Sequence, residues 1–281
     1  METQLVYLVL LAALLHAIWN AMAKSGGEPA FSIAGYQLVG SIICAALIPF
    51  LPTPSPESWI FIFLSVVIHN FYYFTLAKSY QTGDLSLMYP LFRGLAPVLV
   101  AIGAGIFAQE WLSFEAMIGV GLISLGLAGL TLFTPQVLQL QKRSLGWALL
   151  TAILIAGYTI VDGLGVRASG NAYAYIAWLF LFESWPICTI LLMTRRAEFT
   201  SYLTGNYRKL VFGGVISSLA YALVIFAMGL GAMAMVSSLR ETSVIFAAVI
   251  GAVVLKESFG KQRILGACLV AAGIILLRAF A

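Results

Sequence analysis

The chain has 281 residues, of which 62% are hydrophobic and only 9% are charged, with a formal net charge of +4. Soluble domains carry about 25% charged residues, so this composition excludes a soluble globular protein and a disordered one. So few charges also argue against a nucleic-acid-binding protein. A membrane-spanning helix needs about 20 apolar residues. The chain is therefore predicted to be an integral membrane protein with short loops and no sizeable soluble domain.

Apolar runs bounded by polar or glycine- and proline-containing segments predict ten membrane-spanning helices. The first run has no basic residue before it, so we interpret it as a helix of the mature protein and not as a signal peptide. A β-barrel would show short strands of alternating polarity, whereas these runs are apolar on every side. The predicted fold class is thus all-α. The ten runs are 4–23, 31–51, 58–78, 85–108, 114–134, 145–166, 172–194, 209–230, 232–255 and 262–280.

The two halves of the chain, 1–140 and 141–281, repeat one another. With a shift of 147 residues, four identities recur with equal gaps: Arg93 with Arg240, Glu110 with Glu257, Gly119 with Gly266, and Gly126 with Gly273. Each half contains five predicted helices, and an odd number of crossings inverts the second half relative to the first. Such inverted repeats around a central cavity are typical of alternating-access carriers.

Three segments carry a resemblance to a known family: HAIWNAMAKSG at 16–26, YPLFRGLAPVLVAIGAGIFAQEWLSFEAMIGVGLISLG at 89–126, and SSLRETSVIFAAVIGAVVLKESFGKQRILGACLVAAGI at 237–274. The sequence resembles the ten-helix EamA-type branch of the drug/metabolite transporter superfamily. This resemblance implies two inverted five-helix bundles around a central cavity. It also implies secondary transport of small metabolites or drugs, often as export.

Lysine and arginine are distributed unequally between the loops. The odd-numbered loops carry eleven of them, whereas the even loops and tails carry only Arg167 and Arg278. The positive-inside rule then places the odd loops in the cytoplasm and both termini outside it. The family is often described with both termini inside, so the two indications conflict. We expect a multi-pass protein of a bacterial-type inner membrane.

Ionisable side chains at membrane depth cost about 2.5–3.5 kcal/mol each on insertion scales, so they are expected to face the interior of the bundle. Arg93 lies between Pro90 and Pro97, one turn after Tyr89, and we interpret this stretch as cavity-lining. The alternative is a purely structural buried arginine. The other ionisable residues inside the apolar runs are Asp162, Glu183, Arg240 and Glu241.

Glu241 occupies the position that corresponds to Gly94, so it breaks the symmetry between the two halves. This makes Glu241 a candidate for substrate selectivity, with Ser237 one turn before it. On a continuous helix, Arg240 and Glu241 would point about 100° apart and are not expected to pair with each other.

Glu183 lies in the middle of its run and allows two interpretations. A carboxyl group removed from water is easier to protonate near neutral pH, which would let Glu183 couple transport to a proton gradient. Alternatively, Glu183 forms a neutralising ion pair with Arg93 or Arg240.

Other polar and aromatic residues within the runs complete the predicted site. His16, Trp19 and Asn20 share one stripe of the first helix. His69 and Tyr73 predict an aromatic box for a cationic or aromatic ligand. The full set of candidate substrate-binding residues is His16, Trp19, Asn20, His69, Tyr73, Tyr89, Arg93, Tyr158, Asp162, Trp178, Glu183, Tyr221, Ser237, Arg240 and Glu241.

Glu110 and Glu257 are interpreted as structural residues that cap or pair near helix N-termini. The glycines of the repeat are seven residues apart in each half, so each pair lies on one helix face. We expect these faces to permit close helix packing.

The remaining motifs separate the function classes. The chain has no P-loop, no HExxH and no GxSxG, and its cysteines lack ligand spacing, so we expect neither an enzyme nor a bound cofactor or metal. A secondary active carrier is favoured over a channel or a scaffold. Two arginines with several carboxylates suit a zwitterion such as an amino acid or an amino-phosphonate, and a quaternary amine or other cationic drug is the alternative. The expected partners are this substrate, the lipid bilayer and a proton as coupling ion, in a monomer or weak homodimer.

Overall fold

A computed structural model describes residues 3–24, 28–82, 85–132, 142–247 and 261–280. Within these ranges the chain is helical and contains no β-strand. Seven helices in this part of the chain are long and apolar enough to cross a membrane. Two shorter apolar segments, Phe114–Leu130 and Ile264–Phe280, accompany them. The all-α fold class is therefore confirmed for the described residues, and the long apolar helices fit a multi-pass membrane protein.

The helices follow the predicted runs closely, because the apolar residues that define each run also bury its inward face. Two short 3₁₀ turns, Ile48–Phe50 and Pro56–Ser58, connect the second helix to the third. The helices are α1 Thr3–Lys24, α2 Pro29–Leu47, α3 Trp59–Thr82, α4 Leu85–Ala108, α5 Phe114–Leu132, α6 Lys142–Ala168, α7 Ala172–Thr194, α8 Arg196–Gly205, α9 Tyr207–Leu230, α10 Met233–Arg240 and α11 Lys261–Phe280.

The structure corrects the sequence prediction at two places. The polar stretch between the seventh and eighth runs contains a short helix, α8. The ninth run, predicted as one helix over 232–255, is interrupted: α10 ends at Arg240, residues 241–242 form a turn, and residues 243–247 are helical again. Residues 248–255 lie outside the described ranges.

Contacts between loops define two ends of the bundle. At the end that we call the Glu110 end, the backbone N–H of Ser55 donates to the carbonyl of Ser169 (3.1 Å), and the Ser113 hydroxyl donates to the carbonyl of Phe280 (2.8 Å). At the opposite end, which we call the Arg195 end, Arg195 lies 3.9 Å from Glu28. Successive apolar helices connect these two ends alternately, as expected for a multi-pass membrane protein.

The two halves of the chain are interleaved. Helix α1 of the first half packs against α9 of the second half, and α6 of the second half packs against α3 of the first. Helix α2 packs against α7, and α5 makes the most extensive helix–helix contact of the described chain with α11. The third long helix of each half, α3 in the first and α9 in the second, therefore packs mainly against helices of the other half.

The α5–α11 interface confirms the predicted role of the repeated glycines. A Cβ atom on Gly119 would lie 2.9 Å from the carbonyl oxygen of Gly273, and one on Gly126 would lie 2.8 Å from that of Gly266. The reciprocal positions are equally tight. Residue 119 of α5 meets residue 273 of α11, and residue 126 meets residue 266, so these corresponding helices run antiparallel.

Gly273→Ala is expected to destabilise the protein relative to Gly121→Ala. The new methyl group at Gly273 would lie 2.6 Å from the Gly119 carbonyl oxygen, whereas a Cβ at Gly121 meets no atom within 4 Å. Overpacking of this kind costs about 1–3 kcal/mol, and both changes gain similar helix propensity. Thermal unfolding of the two variants in detergent measures the difference. Equal or higher stability of the Gly273 variant would contradict the packing argument.

Candidate functional site

The buried charges of the described chain gather in the middle of the bundle. Asp162 and Glu241 are 0% exposed, Arg240 is 2%, Arg93 is 3% and Glu183 is 7% exposed. They come from α4, α6, α7 and the α10 break, so the fold brings together residues that are far apart in sequence. None of the five reaches the outer surface in this conformation, as expected for costly charges within a membrane.

Arg93, Arg240 and Glu241 form a group that we call the arginine cluster. The Arg93 Nε lies 2.8 Å from Oε2 of Glu241, and one Nη of Arg93 donates to the Ser243 hydroxyl at 3.4 Å. The Arg93 guanidinium also lies 5.8 Å from the centre of the Tyr89 ring. The cluster thus joins α4 of the first half to the α10 break of the second.

Arg240 and Glu241 pair with each other, and the prediction that they would not is wrong. The Arg240 Nε lies 3.7 Å from Oε1 of Glu241. The prediction assumed a continuous helix, but the backbone N–H groups of Glu241 and Thr242 bond to carbonyls three residues back, at 3.2 and 3.1 Å. This 3₁₀ winding sets neighbouring side chains about 120° apart and does not itself bring them together. The pairing follows from the reach of the long Arg240 side chain, which extends to the Glu241 carboxylate.

The arginine cluster carries one more positive than negative charge, since two guanidinium groups share one carboxylate. The Nε and Nη2 atoms of Arg240 are buried and have no hydrogen-bond partner among the described residues. The Nε of Arg93 and both carboxylate oxygens of Glu241 also lack hydrogen-bond partners there and meet only as ion pairs. The hydroxyl of Ser237, which precedes Arg240 by three residues on α10, is likewise buried without a hydrogen-bond partner in the described structure. Buried donors normally have partners, so this side of the cluster is suited to an anionic group.

Glu183 contacts polar neutral groups. Its Oε1 accepts the Tyr73 hydroxyl proton at 2.8 Å and the Gln37 amide at 3.3 Å. The His69 Nε2 lies 4.0 Å away. No arginine or lysine of the described chain lies within ion-pair distance, so the alternative that pairs Glu183 with Arg93 or Arg240 is not seen.

Asp162 has a similar environment. Its two oxygens accept hydrogen bonds from the hydroxyls of Tyr175 (3.0 Å) and Tyr221 (2.5 Å). Asp162 also lies within electrostatic range of His69, whose Nδ1 contacts the Ser65 hydroxyl at 3.1 Å. His69 therefore stands between two carboxylates that have no arginine or lysine partner in the described structure.

Aromatic rings surround His69 and connect the two carboxylates. The Tyr158 ring stacks on His69 with centroids 4.0 Å apart, and the Tyr221 ring meets it edge-on at 5.6 Å. Tyr72 contacts both Tyr73 and Tyr158. We call His69, Tyr72, Tyr73, Tyr158 and Tyr221 the tyrosine box. Tyr72, Tyr158 and Tyr221 pack with Tyr89 around one apolar cluster, which links the box to Arg93.

The first-helix candidates lie beside the arginine cluster but bond mainly to their own helix. The Trp19 indole N–H donates to His16 Nδ1 at 3.3 Å, and the Asn20 amide donates to the His16 carbonyl at 2.8 Å. His16 lies within electrostatic range of Arg93 and Arg240. The stripe is present, yet its polar groups are largely satisfied within α1.

Trp178 is not part of the buried group. Its ring packs against Trp59 and Phe182, with centroids 5.0 and 5.7 Å away. Trp59 begins α3 at the Glu110 end, so Trp178 lies towards that end of the bundle. Its distance from the tyrosine box reflects the depth of α7 at this position, which the sequence pattern does not reveal.

Glu110 joins α6 and α10 at the Glu110 end of the bundle, as its structural interpretation predicts. Its Oε2 accepts the backbone N–H of Met233, the first residue of α10, at 2.9 Å, and Arg167 pairs with its other oxygen. The Arg167 Nη2 also donates to the Gly231 carbonyl at 2.8 Å. Glu257, the corresponding residue of the second half, lies outside the described residues.

A family model described as the EamA-like transporter family matches residues 4–132 and again residues 142–279. The two matches fall on the two halves of the chain and together cover nearly all of it. The chain belongs to the EamA-like transporter family. It is therefore a multi-pass membrane protein of a family of transporters.

A crystal structure of another protein resembles this EamA-like transporter in fold. The two are 16% identical, with a TM-score of 0.75, and the match covers 98% of this chain and 96% of that chain. At this level of identity the likeness extends to the fold alone. A search of curated proteins found no match.

The site of this EamA-like transporter includes residues that sequence reasoning missed. Three of them bond directly to buried groups of the site: Gln37 to Glu183, Ser65 to His69, and Tyr175 to Asp162. Gln37 was detectable as a lone amide within an apolar run. Ser65 and Tyr175 had no comparable signal, because serine and tyrosine occur throughout membrane helices.

Proposed function

We propose that the chain is a secondary active transporter that moves a small polar metabolite by alternating access. The favoured substrate is a zwitterion such as an amino acid or an amino-phosphonate. We further propose that its halves, 1–140 and 141–281, are inverted five-helix repeats that make ten crossings. The antiparallel contact between α5 and α11 and the exchange of α3 and α9 between the halves support this arrangement.

One observation carries the substrate proposal: the buried polar centre offers opposite charges on its two sides. Arg240 has buried guanidinium donors without partners, which suits a carboxylate or a phosphonate. Asp162 and Glu183 lie among tyrosine rings without an arginine or lysine partner in the described structure. An ammonium group fits there, since carboxylates and aromatic faces both attract cations.

A cationic drug or quaternary amine is the second candidate. The observation that favours it is that Glu241 already balances Arg93, at 2.8 Å, while Asp162 and Glu183 have only neutral partners and His69. Such a ligand would use the tyrosine box and leave the arginine cluster unchanged. The two candidates therefore differ in whether transport needs Arg240.

Counterflow in liposomes tests both candidates. Vesicles that contain the purified protein and an unlabelled amino acid mixture are expected to accumulate labelled amino acid transiently, which a channel or a scaffold would not do. Arg240→Met is expected to lower this counterflow at least about tenfold, because the anionic end loses a charge-assisted bond. If the wild type and Arg240→Met exchange quaternary amines equally well and neither exchanges amino acids, the cation proposal replaces the zwitterion proposal.

We also propose a bacterial-type inner membrane as the location, with the Arg195 end in the cytoplasm. In the described part of the chain, this end holds Lys142, Arg143, Arg195, Arg196, Arg208 and Lys209, whereas the Glu110 end holds Arg167 and Arg278. His69 lies between Glu183 and Asp162, so three ionisable groups follow one another through the buried centre. This arrangement supports a proton as the coupling ion.

A further inference from the structure

The two halves of the chain differ at the centre of the site. A Cβ atom at Gly94 would lie 2.7 Å from the backbone nitrogen of Ala128 and 2.9 Å from the carbonyl oxygen of Ser124, so no side chain fits there. The corresponding position in the second half holds Glu241. One carboxylate is thus available for the two symmetry-related arginines, Arg93 and Arg240.

Glu241 binds these arginines unequally. Its contact with Arg93 is short, 2.8 Å, whereas its contact with Arg240 is 3.7 Å, and neither ion pair has hydrogen-bond geometry. The Arg240 Nη2 and the Ser237 hydroxyl remain without partners although both are buried. The Arg240 side of the carboxylate is therefore the side on which another anion competes most easily.

The backbone position of Glu241 favours movement of its side chain. Residue 241 directly follows the end of α10, where the regular helical bonds give way to a turn before the helix resumes at 243. A break in a membrane helix occurs where the backbone lines a cavity or is buried in protein. Residues that absorb a change in backbone angles are found at such element ends.

We propose that Glu241 is a tethered anion that occupies the arginine pair in the closed carrier, and that the carboxylate or phosphonate of the substrate replaces it at Arg240. The carrier then closes around either its own glutamate or a substrate anion, but not around two unpaired arginines. Glu241 would set the selectivity for the anionic end of the substrate. The inference rests on the proposed function, because it concerns the same buried polar centre.

Rescue by a small free anion tests the proposal without any need for transport. In Glu241→Gln the side-chain shape is kept and the charge is removed, so acetate from solution is expected to enter and pair with Arg240. Thermal unfolding in detergent is measured in sodium acetate and, at equal ionic strength, in sodium gluconate, whose anion is larger. Acetate is expected to raise the Tm of this variant by roughly 4 °C or more, and to raise that of the wild type by clearly less, because Glu241 competes with it there.

Glu183→Gln is the matched control, because it also removes a buried carboxylate but leaves no arginine without its partner. Its acetate response is expected to equal that of the wild type. If acetate stabilises Glu241→Gln no more than it stabilises this control, the tethered-anion proposal is wrong. If acetate stabilises Glu241→Gln but amino acid counterflow is absent, only the proposed function is contradicted. Failure of the tethered-anion proposal can thus be distinguished from failure of the proposed function.

Glu241→Asp keeps the proposal testable if the glutamine variant does not fold. Aspartate retains the charge but is one methylene shorter, so it reaches Arg93 or Arg240 and does not bridge them. Its acetate response is expected to lie between those of the wild type and Glu241→Gln. A response equal to that of the wild type would overturn the proposal. Folding of Glu241→Gln in acetate but not in gluconate would support it.

Discussion

Glu241→Met is expected to lower the free energy of unfolding by about 3–5 kcal/mol, which is the cost of leaving a buried charge without its partner. The substitution leaves Arg93 and Arg240 buried together with no carboxylate within ion-pair distance in the described structure. The cluster charge rises from +1 to +2. Methionine fills nearly the same volume as glutamate, so a cavity does not explain the loss.

Arg240→Met is the matched control for this prediction, and we expect it to change stability by less than about 1 kcal/mol. It lowers the cluster charge from +1 to 0 and removes buried donors that have no partner. Glu241 keeps its short contact with Arg93. Equilibrium unfolding in mixed micelles compares the two variants. Equal losses for both would mean that the cluster charge is balanced by groups other than Glu241.

The repeat was the most informative sequence feature for the fold. The equal spacing of Gly119, Gly126, Gly266 and Gly273 predicted close helix packing, and these glycines meet across α5 and α11. Hydropathy located the helices well because burial in lipid requires long apolar runs. It could not locate the break at residues 241–242, because the break is a change of hydrogen-bond pattern within a run that stays apolar.

The members of the site could be predicted better than their pairing. Burial cost alone indicated that Arg93, Asp162, Glu183 and Glu241 face inward, and the structure places them in the buried centre. Which carboxylate pairs with which arginine depends on helix rotation and depth, which a single sequence does not encode. The short contact of Arg93 with Glu241, and the neutral surroundings of Glu183, therefore emerged only from the structure.

Glu183→Gln is expected to abolish accumulation driven by a proton gradient, with uptake falling at least about tenfold to the equilibrium level. Glutamine keeps the size of the side chain and an oxygen that accepts the Tyr73 hydroxyl proton, so the local bonds survive. It removes the site at which a proton would bind. The His69 Nε2, 4.0 Å away, would lose its carboxylate neighbour.

Exchange in the absence of a gradient separates coupling from binding. Counterflow by Glu183→Gln is expected to stay within about threefold of the wild type, because Arg240 and Asp162 still hold the two ends of the substrate. Glu198→Gln, at an exposed carboxylate paired with Arg195 on α8, controls for loss of charge in general. If gradient-driven uptake by Glu183→Gln matches that of this control, Glu183 does not carry the coupling proton. Asp162, which lies within electrostatic range of His69, would then be the remaining buried carboxylate beside the tyrosine box able to do so.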